Sequence, residues 1–203
     1  KPGEINLVYT QIDRFIVGGA CPSGEPLKLD TIDALKAKHF LDRRELGAVN
    51  VGGAGRISVD GEAYDIAYKE ALYVGAGVTE VIFESADAVN PAKFYLNSAT
   101  AHHSYPVRKV GLNDAIKVEL GSLETSNHRV INKLIVHGVV ETCQLQMGMT
   151  ELKPGSVWKT SFSTRYPSRF SSPSFRGSSG QASAGNPPQA ARSCSRSFAF
   201  RAA

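Results

Sequence analysis

The chain has 203 residues, 42% apolar and 21% charged, which allows one or two domains with their own core and excludes the disordered class. Its three cysteines, Cys21, Cys143 and Cys194, lack the number and spacing of a disulfide scaffold or a zinc ribbon. The formal charge of +4 and the pI near 9.0 come from one end, because residues 161–203 hold six Arg and no Asp, Glu or Lys.

Along residues 1–160 short apolar runs alternate with Gly and Asn. Leu7–Tyr9 and Ile12–Val17 read as strands, the second ended by Gly18-Gly19. Thr31 to Lys38, with Ile32 and Leu35 three apart, reads as one or two helical turns. Ala48–Val51 runs into Gly52-Gly53-Ala54-Gly55. A phosphate-cradling loop needs a following helix to supply its N–H groups. No helical period follows these glycines, so a nucleotide site is excluded. Arg56–Val59 and Ala63–Ile66 flank Asp60-Gly61, the strongest hairpin signal in the chain. Ala71–Val74, Glu80–Glu84 and Ala92–Asn97 are further strands, and Gly75-Ala76-Gly77 is a corner. The expectation is an all-β fold, a closed antiparallel barrel over residues 5–110.

The most apolar later run, Leu134 to Val140, is broken by His137 and falls far short of the roughly 20 residues of a membrane span. Glu141 to Met149 alternates and predicts a strand, with Thr142, Gln144, Gln146 and Gly148 on one face. Residues 161–203 contain twelve Ser and no Ile, Leu, Val, Met or His. Without branched aliphatics a tail of this kind is expected to stay disordered. Its singly spaced Arg and interleaved aromatics offer a nucleic-acid arm as the other reading, but no RNA-binding fold precedes it, so a nucleic-acid partner is not expected. The opening Lys1-Pro2-Gly3-Glu4 shows no secretory apolar region, and a soluble protein of a reducing compartment, the cytoplasm, is expected.

The order Glu45, Gly52, the Asp60-Gly61 hairpin and Tyr73–Gly77 resembles the two sequence motifs of a cupin, a β-sandwich or barrel. In cupins the first motif supplies two His and a Glu, and the second another His. His39 and Glu45 fit that spacing, whereas Leu41 stands at the second His position and Glu80 at the last. Leucine cannot ligate, so no metal is expected in this barrel.

A closer resemblance rests on longer phrases. Ile12–Gly19, Phe40–Gly47, Asn50–Gly55, Ala71–Gly75 and Pro91–Tyr95 are similar to the 5-dehydro-4-deoxy-D-glucuronate isomerase (4-deoxy-L-threo-5-hexosulose-uronate ketol-isomerase) family. So are Thr125–Asn127, Ile131–Lys133, Glu141–Leu145 and Met147–Leu152, and the likeness runs to about residue 160. It implies a hexameric, two-cupin isomerase of pectin and uronate breakdown that takes a small sugar-acid substrate. It also implies a first cupin over 1–118, the opening strands of a second over 119–160, and an unrelated tail over 161–203. The family's zinc is held by a His-x-His-x4-Glu motif shortly after the stretch matched by Val157–Thr160, and by a later His. Here Ser161-Phe162-Ser163 follows Thr160, and no His occurs after His137. The expectation is therefore a fragment without the family's zinc site and without activity as written, its composition breaking at Thr160 as in a shifted reading frame. The alternative is a non-catalytic cupin module that binds a sugar acid or mediates assembly.

Candidate residues are few. Lys133 and Gln144 are the candidate substrate contacts, lining the second cupin's pocket, and no catalytic base is assigned. The plainer reading of Gln144 is an outward side chain on a half-buried strand. His102-His103 reads as a loop pair, since adjacent strand residues face opposite ways. Cys143 reads as a buried core thiol, because no basic neighbour or helix start activates it. Arg43-Arg44 reads as solvated or interfacial charge, with pairing to a carboxylate as the other reading.

Overall fold

A computed structural model describes residues 1–124 and 126–155. The expected tail over 161–203 therefore lies outside the described residues. Thirteen strands and one short 3-10 turn, Asp33–Leu35, make up the described chain. Every pairing between strands is antiparallel.

Six strands form the larger sheet. They are β1 (Glu4–Tyr9), β2 (Ile16–Cys21), β4 (Arg44–Asn50), β7 (Ala71–Val74), β9 (Phe94–Thr100) and β10 (Arg108–Val110), in the order β1-β2-β9-β4-β7-β10. The smaller sheet has the order β3-β8-β5-β6 and contains β3 (Leu27–Lys28), β5 (Gly55–Val59), β6 (Glu62–Ile66) and β8 (Val81–Ser85). The antiparallel architecture agrees with the expectation. Its closure does not: the ladders form two facing sheets of a sandwich rather than one continuous barrel wall. Between the sheets lies a core that includes Ile16, Leu46, Ala48, Leu72, Phe94 and Leu96 from the large sheet, with Ile57, Ile66, Val81 and Phe83 from the small one.

The third sheet, β11-β12-β13, consists of β11 (Ile116–Ser122), β12 (Ser126–Ile135) and β13 (Met147–Leu152). It carries Leu134, Ile135, Met147 and Met149 onto the outer face of the large sheet, where they join Val49, Ala71, Tyr73 and Ala99 in a second core. The large sheet is thus covered on both faces. This explains why all seven residues of β4 and all four of β7 are buried, a pattern usual for strands packed on both sides. Gly47 is the point of closest approach. A Cβ there would overlap Met147 Sδ and lie 3.0 Å from both Ile135 Cδ1 and Leu145 Cδ2.

Local chemistry fixes the turns. Asp60 and Gly61 have φ of +46° and +89°, the left-handed pair that a two-residue hairpin between twisted strands requires. The glycine corner after β4 is structural. The buried Asn50 amide donates to Gly53 O at 2.7 Å and Ile66 O at 2.9 Å, and its Oδ1 accepts from Gly52 N at 3.0 Å. Gly52 and Gly53 leave no room for a Cβ beside Pro91 O and Asn90 O.

Three local expectations differ from the structure. Residues 11–15 are a turn rather than part of a strand, with Gln11, Asp13 and Arg14 at positive φ. Gly18 and Gly19 lie inside β2 instead of ending it, and at Gly18 the Leu7 side chain fills the place of a Cβ. The helical stretch shrinks to the three-residue turn Asp33–Leu35.

Candidate functional site

Glu45 is fully buried, and its side chain lies on the outer face of the large sheet with Gly47 and Val49, opposite the sandwich interior. Oε2 accepts from the Tyr73 hydroxyl at 2.8 Å and from Cys143 N at 2.9 Å. Oε1 accepts from Gln144 N at 2.8 Å and Leu145 N at 2.7 Å. Three consecutive backbone N–H groups meet on one carboxylate. In a strand they would alternate in direction, so residues 141–146 form a loop, and only Met147–Leu152 of the expected strand pairs.

This geometry separates the partial cupin ligand set. His39 Nδ1 lies 3.0 Å from Asp42 Oδ1, and Glu80 is 2.6 Å from Lys28 Nζ. Both line one open groove of about 630 Å³, while Glu45 is used up on the other side of the large sheet. Leu41 is a core residue, 1% exposed. Among the described residues no three His, Cys, Asp or Glu are grouped so as to hold a metal ion, and His39, Glu45 and Glu80 do not fit one.

The two candidate substrate contacts occupy different settings. Gln144 is half-buried, and its Nε2 donates to both Thr100 O and Thr100 Oγ1 at 2.6 Å. It ties the covering loop to the end of β9. Lys133 is exposed on β12, in register with Ile116 on one side and Gly148 on the other. The Cys143 thiol is half-buried and donates to His103 O at 3.3 Å, so it is a loop contact rather than a core thiol. His102 and His103 are exposed in the loop after β9, as expected.

A concavity lies where the 3-10 turn and the turn before β2 meet the ends of β4 and β9. It measures about 400 Å³ and is lined by Arg14, Arg43 and Arg44 together with Tyr9, Phe40 and Thr100. Arg43 is exposed, but Arg44 is only 4% exposed, which corrects the solvated reading of the pair. Arg44 shares the inward face of β4 with Leu46 and Ala48. Burial pulls its pKa down to about 10, and the Arg14 charge adds to the fall while Tyr9 opposes it. It stays cationic at neutral pH. Position parity along β4 was the sequence signal that could have found this inward guanidinium. Tyr9, Arg14 and Thr100 carried no such signal, because they come together only through pairing across the large sheet.

The fold defines an all-β protein of antiparallel sheets. A model of the KduI/IolB family matches residues 3–167, and the chain belongs to that family. It is 60% identical over 156 residues to the 4-deoxy-L-threo-5-hexosulose-uronate ketol-isomerase of Formosa agariphila, covering 77% of this chain and 56% of that protein. It is also 60% identical over 159 residues to the 4-deoxy-L-threo-5-hexosulose-uronate ketol-isomerase 1 of Bacteroides thetaiotaomicron, covering 78% and 57%. The chain thus spans little more than half the length of these curated relatives. Among solved structures, an IolB-like protein from Salmonella typhimurium superposes with a TM-score of 0.59 at 14% identity, over 77% of this chain and 58% of that one. That likeness speaks for the fold alone.

Proposed function

We propose that this chain is the first-cupin part of a ketol-isomerase that converts 5-dehydro-4-deoxy-D-glucuronate into 3-deoxy-D-glycero-2,5-hexodiulosonate. The observation that carries this reading is the 60% identity to the Formosa agariphila isomerase, sustained over 156 residues. The reaction moves a proton between two adjacent carbons, from the carbon bearing the hydroxyl to the aldehyde carbon. It needs a base and a group that steadies the enediolate between them.

The described residues supply the scaffold for that chemistry. Glu45 and Tyr73 fasten the loop 141–146 onto the first sandwich, and Gln144 anchors the same loop to Thr100. Such anchoring would hold the start of the second cupin in a fixed position. Lys133 and Gln144 stand as the proposed contacts to the sugar acid from that side. The zinc implied by the resemblance is assigned to the second cupin, beyond residue 155. In this reading the 203-residue chain is without activity of its own, and the enzyme acts in the cytoplasm as a hexamer. No helix among the described residues is long and apolar enough to cross a membrane.

A chimera tests the reading. Residues 1–160 of this chain replace the matching part of the Formosa agariphila isomerase, and loss of the aldehyde proton is followed by NMR. Turnover of the uronate within about tenfold of the parent is expected. A folded chimera that is inert on the uronate would contradict the proposal.

A further inference from the structure

The cavity of about 400 Å³ carries three arginines and no carboxylate on its wall. Among the described residues none of the three forms an ion pair. Like charges gathered without a counter-ion raise a local positive potential that draws anions. Arg44 is the built element. Its Nε donates to Ser98 Oγ at 3.0 Å, and its Nη2 donates to Ser98 O at 2.8 Å and Arg14 O at 2.6 Å. These bonds fix the guanidinium plane and leave Nη1 with no acceptor among the described residues. Arg43 Nη2 is in turn held by Leu35 O at 3.2 Å.

With the Nε proton and both Nη2 protons donated within the protein, Nη1 remains to give a carboxylate oxygen a charge-assisted hydrogen bond from a fixed position. The rest of the wall is mixed. Phe40 offers an apolar face, and Tyr9 and Thr100 offer hydroxyls. Thr100 Oγ1 already accepts from Gln144, so its own O–H remains as a donor. The volume lies at the small end of the range for ligand sites, about 300–1,000 Å³.

We propose that this cavity binds a monosaccharide acid, its carboxylate held by Arg44 with Arg14 and Arg43 alongside and its hydroxyls met by Tyr9 and Thr100. The site lies wholly within residues 9–101. It does not depend on the isomerase reading, and would stand even if the chimera above were inert.

The test is calorimetric titration of the 203-residue chain with D-glucuronate, D-glucose and inorganic phosphate. Saturable one-to-one binding of glucuronate is expected, at least tenfold tighter than phosphate, with no binding of glucose over the same range. The R14A/R43A double variant alters two exposed side chains and should weaken glucuronate at least tenfold with an unchanged melting temperature. R44K keeps the charge but loses the planar head that Ser98 and Arg14 hold in place, and should weaken it by a similar factor. Should R44K fail to fold, the double variant still decides. No saturable glucuronate binding, phosphate binding as tight as glucuronate, or unchanged affinity in R14A/R43A would each overturn the proposal.

Discussion

The Tyr73 hydroxyl donates to Glu45 Oε2 at 2.8 Å between neighbouring strands, with both side chains wholly buried. Burial, then the hydrogen bond and charge of Glu45, push the Tyr73 phenol well above its ordinary value. The pair joins the sandwich to the loop 141–146. Replacing Glu45 by Ala leaves the N–H groups of Cys143, Gln144 and Leu145 without their acceptor. An unsatisfied buried donor costs about 1–3 kcal/mol, so E45A should lose more than about 3 kcal/mol in urea unfolding. Y73F removes one donor to a charged group and should lose about 1.5–3 kcal/mol. The double variant should lose less than the sum, because the two residues share one network.

Gly47 tests the packing of the second core. G47A places a methyl against Met147 Sδ, Ile135 and Leu145, and overpacking of this kind costs about 1–3 kcal/mol. Adding M147A, which alone opens a cavity, should cost less than the two separate losses combined. Strict additivity would mean that β13 does not rest on Gly47.

Asn50 is predicted to tolerate almost nothing. Its amide nitrogen serves two carbonyls and its oxygen serves the N–H of Gly52. N50D keeps the shape, removes both donors and buries a charge. A loss of at least about 2–4 kcal/mol is expected, read as a lower denaturant midpoint at unchanged slope.

Asp60 gives a pH test. The Thr79 hydroxyl, followed by the backbone N–H groups of Glu80 and Thr79, holds its carboxyl below the ordinary value. A carboxyl with a depressed folded value adds stability above its unfolded pKa and loses it as pH falls through the folded one. D60N keeps a residue that accepts positive φ and removes the titration. Stability of the parent minus that of D60N should therefore shrink as pH drops from 6 towards 3. A constant difference would refute the assignment.

Much of the fold was legible. Strands β5 to β8 to within one residue, the Asp60-Gly61 turn and the structural glycine corner follow from local residue chemistry. What was hidden depends on the second face of the large sheet. Glu45 matched a cupin ligand position by its spacing from His39, although no metal was expected there. Spacing along the chain does not say which sheet face a strand residue takes, nor that three N–H groups about a hundred residues later would claim its carboxylate. Arg44 shares its parity along β4 with the apolar Leu46 and Ala48; what stayed hidden was its cavity, because Thr100 reaches it only through the pairing of β4 with β9. The loop at 141–146 read as a strand because its side chains alternate in polarity, while Glu45 sets its backbone.

The central proposal is that residues 1–155 hold no zinc site of their own, the zinc of the proposed isomerase belonging to a second cupin. The most direct measurement is elemental analysis of zinc in the purified 203-residue chain, with isomerisation of the uronate assayed on the same sample. Zinc sites take about three or four fixed ligands, and Glu45 lies on the far side of the large sheet from the groove that His39 and Glu80 line. The account predicts far less than one zinc per chain and no turnover above the uncatalysed rate. One tightly bound zinc per chain, with turnover comparable to a full-length relative, would contradict it.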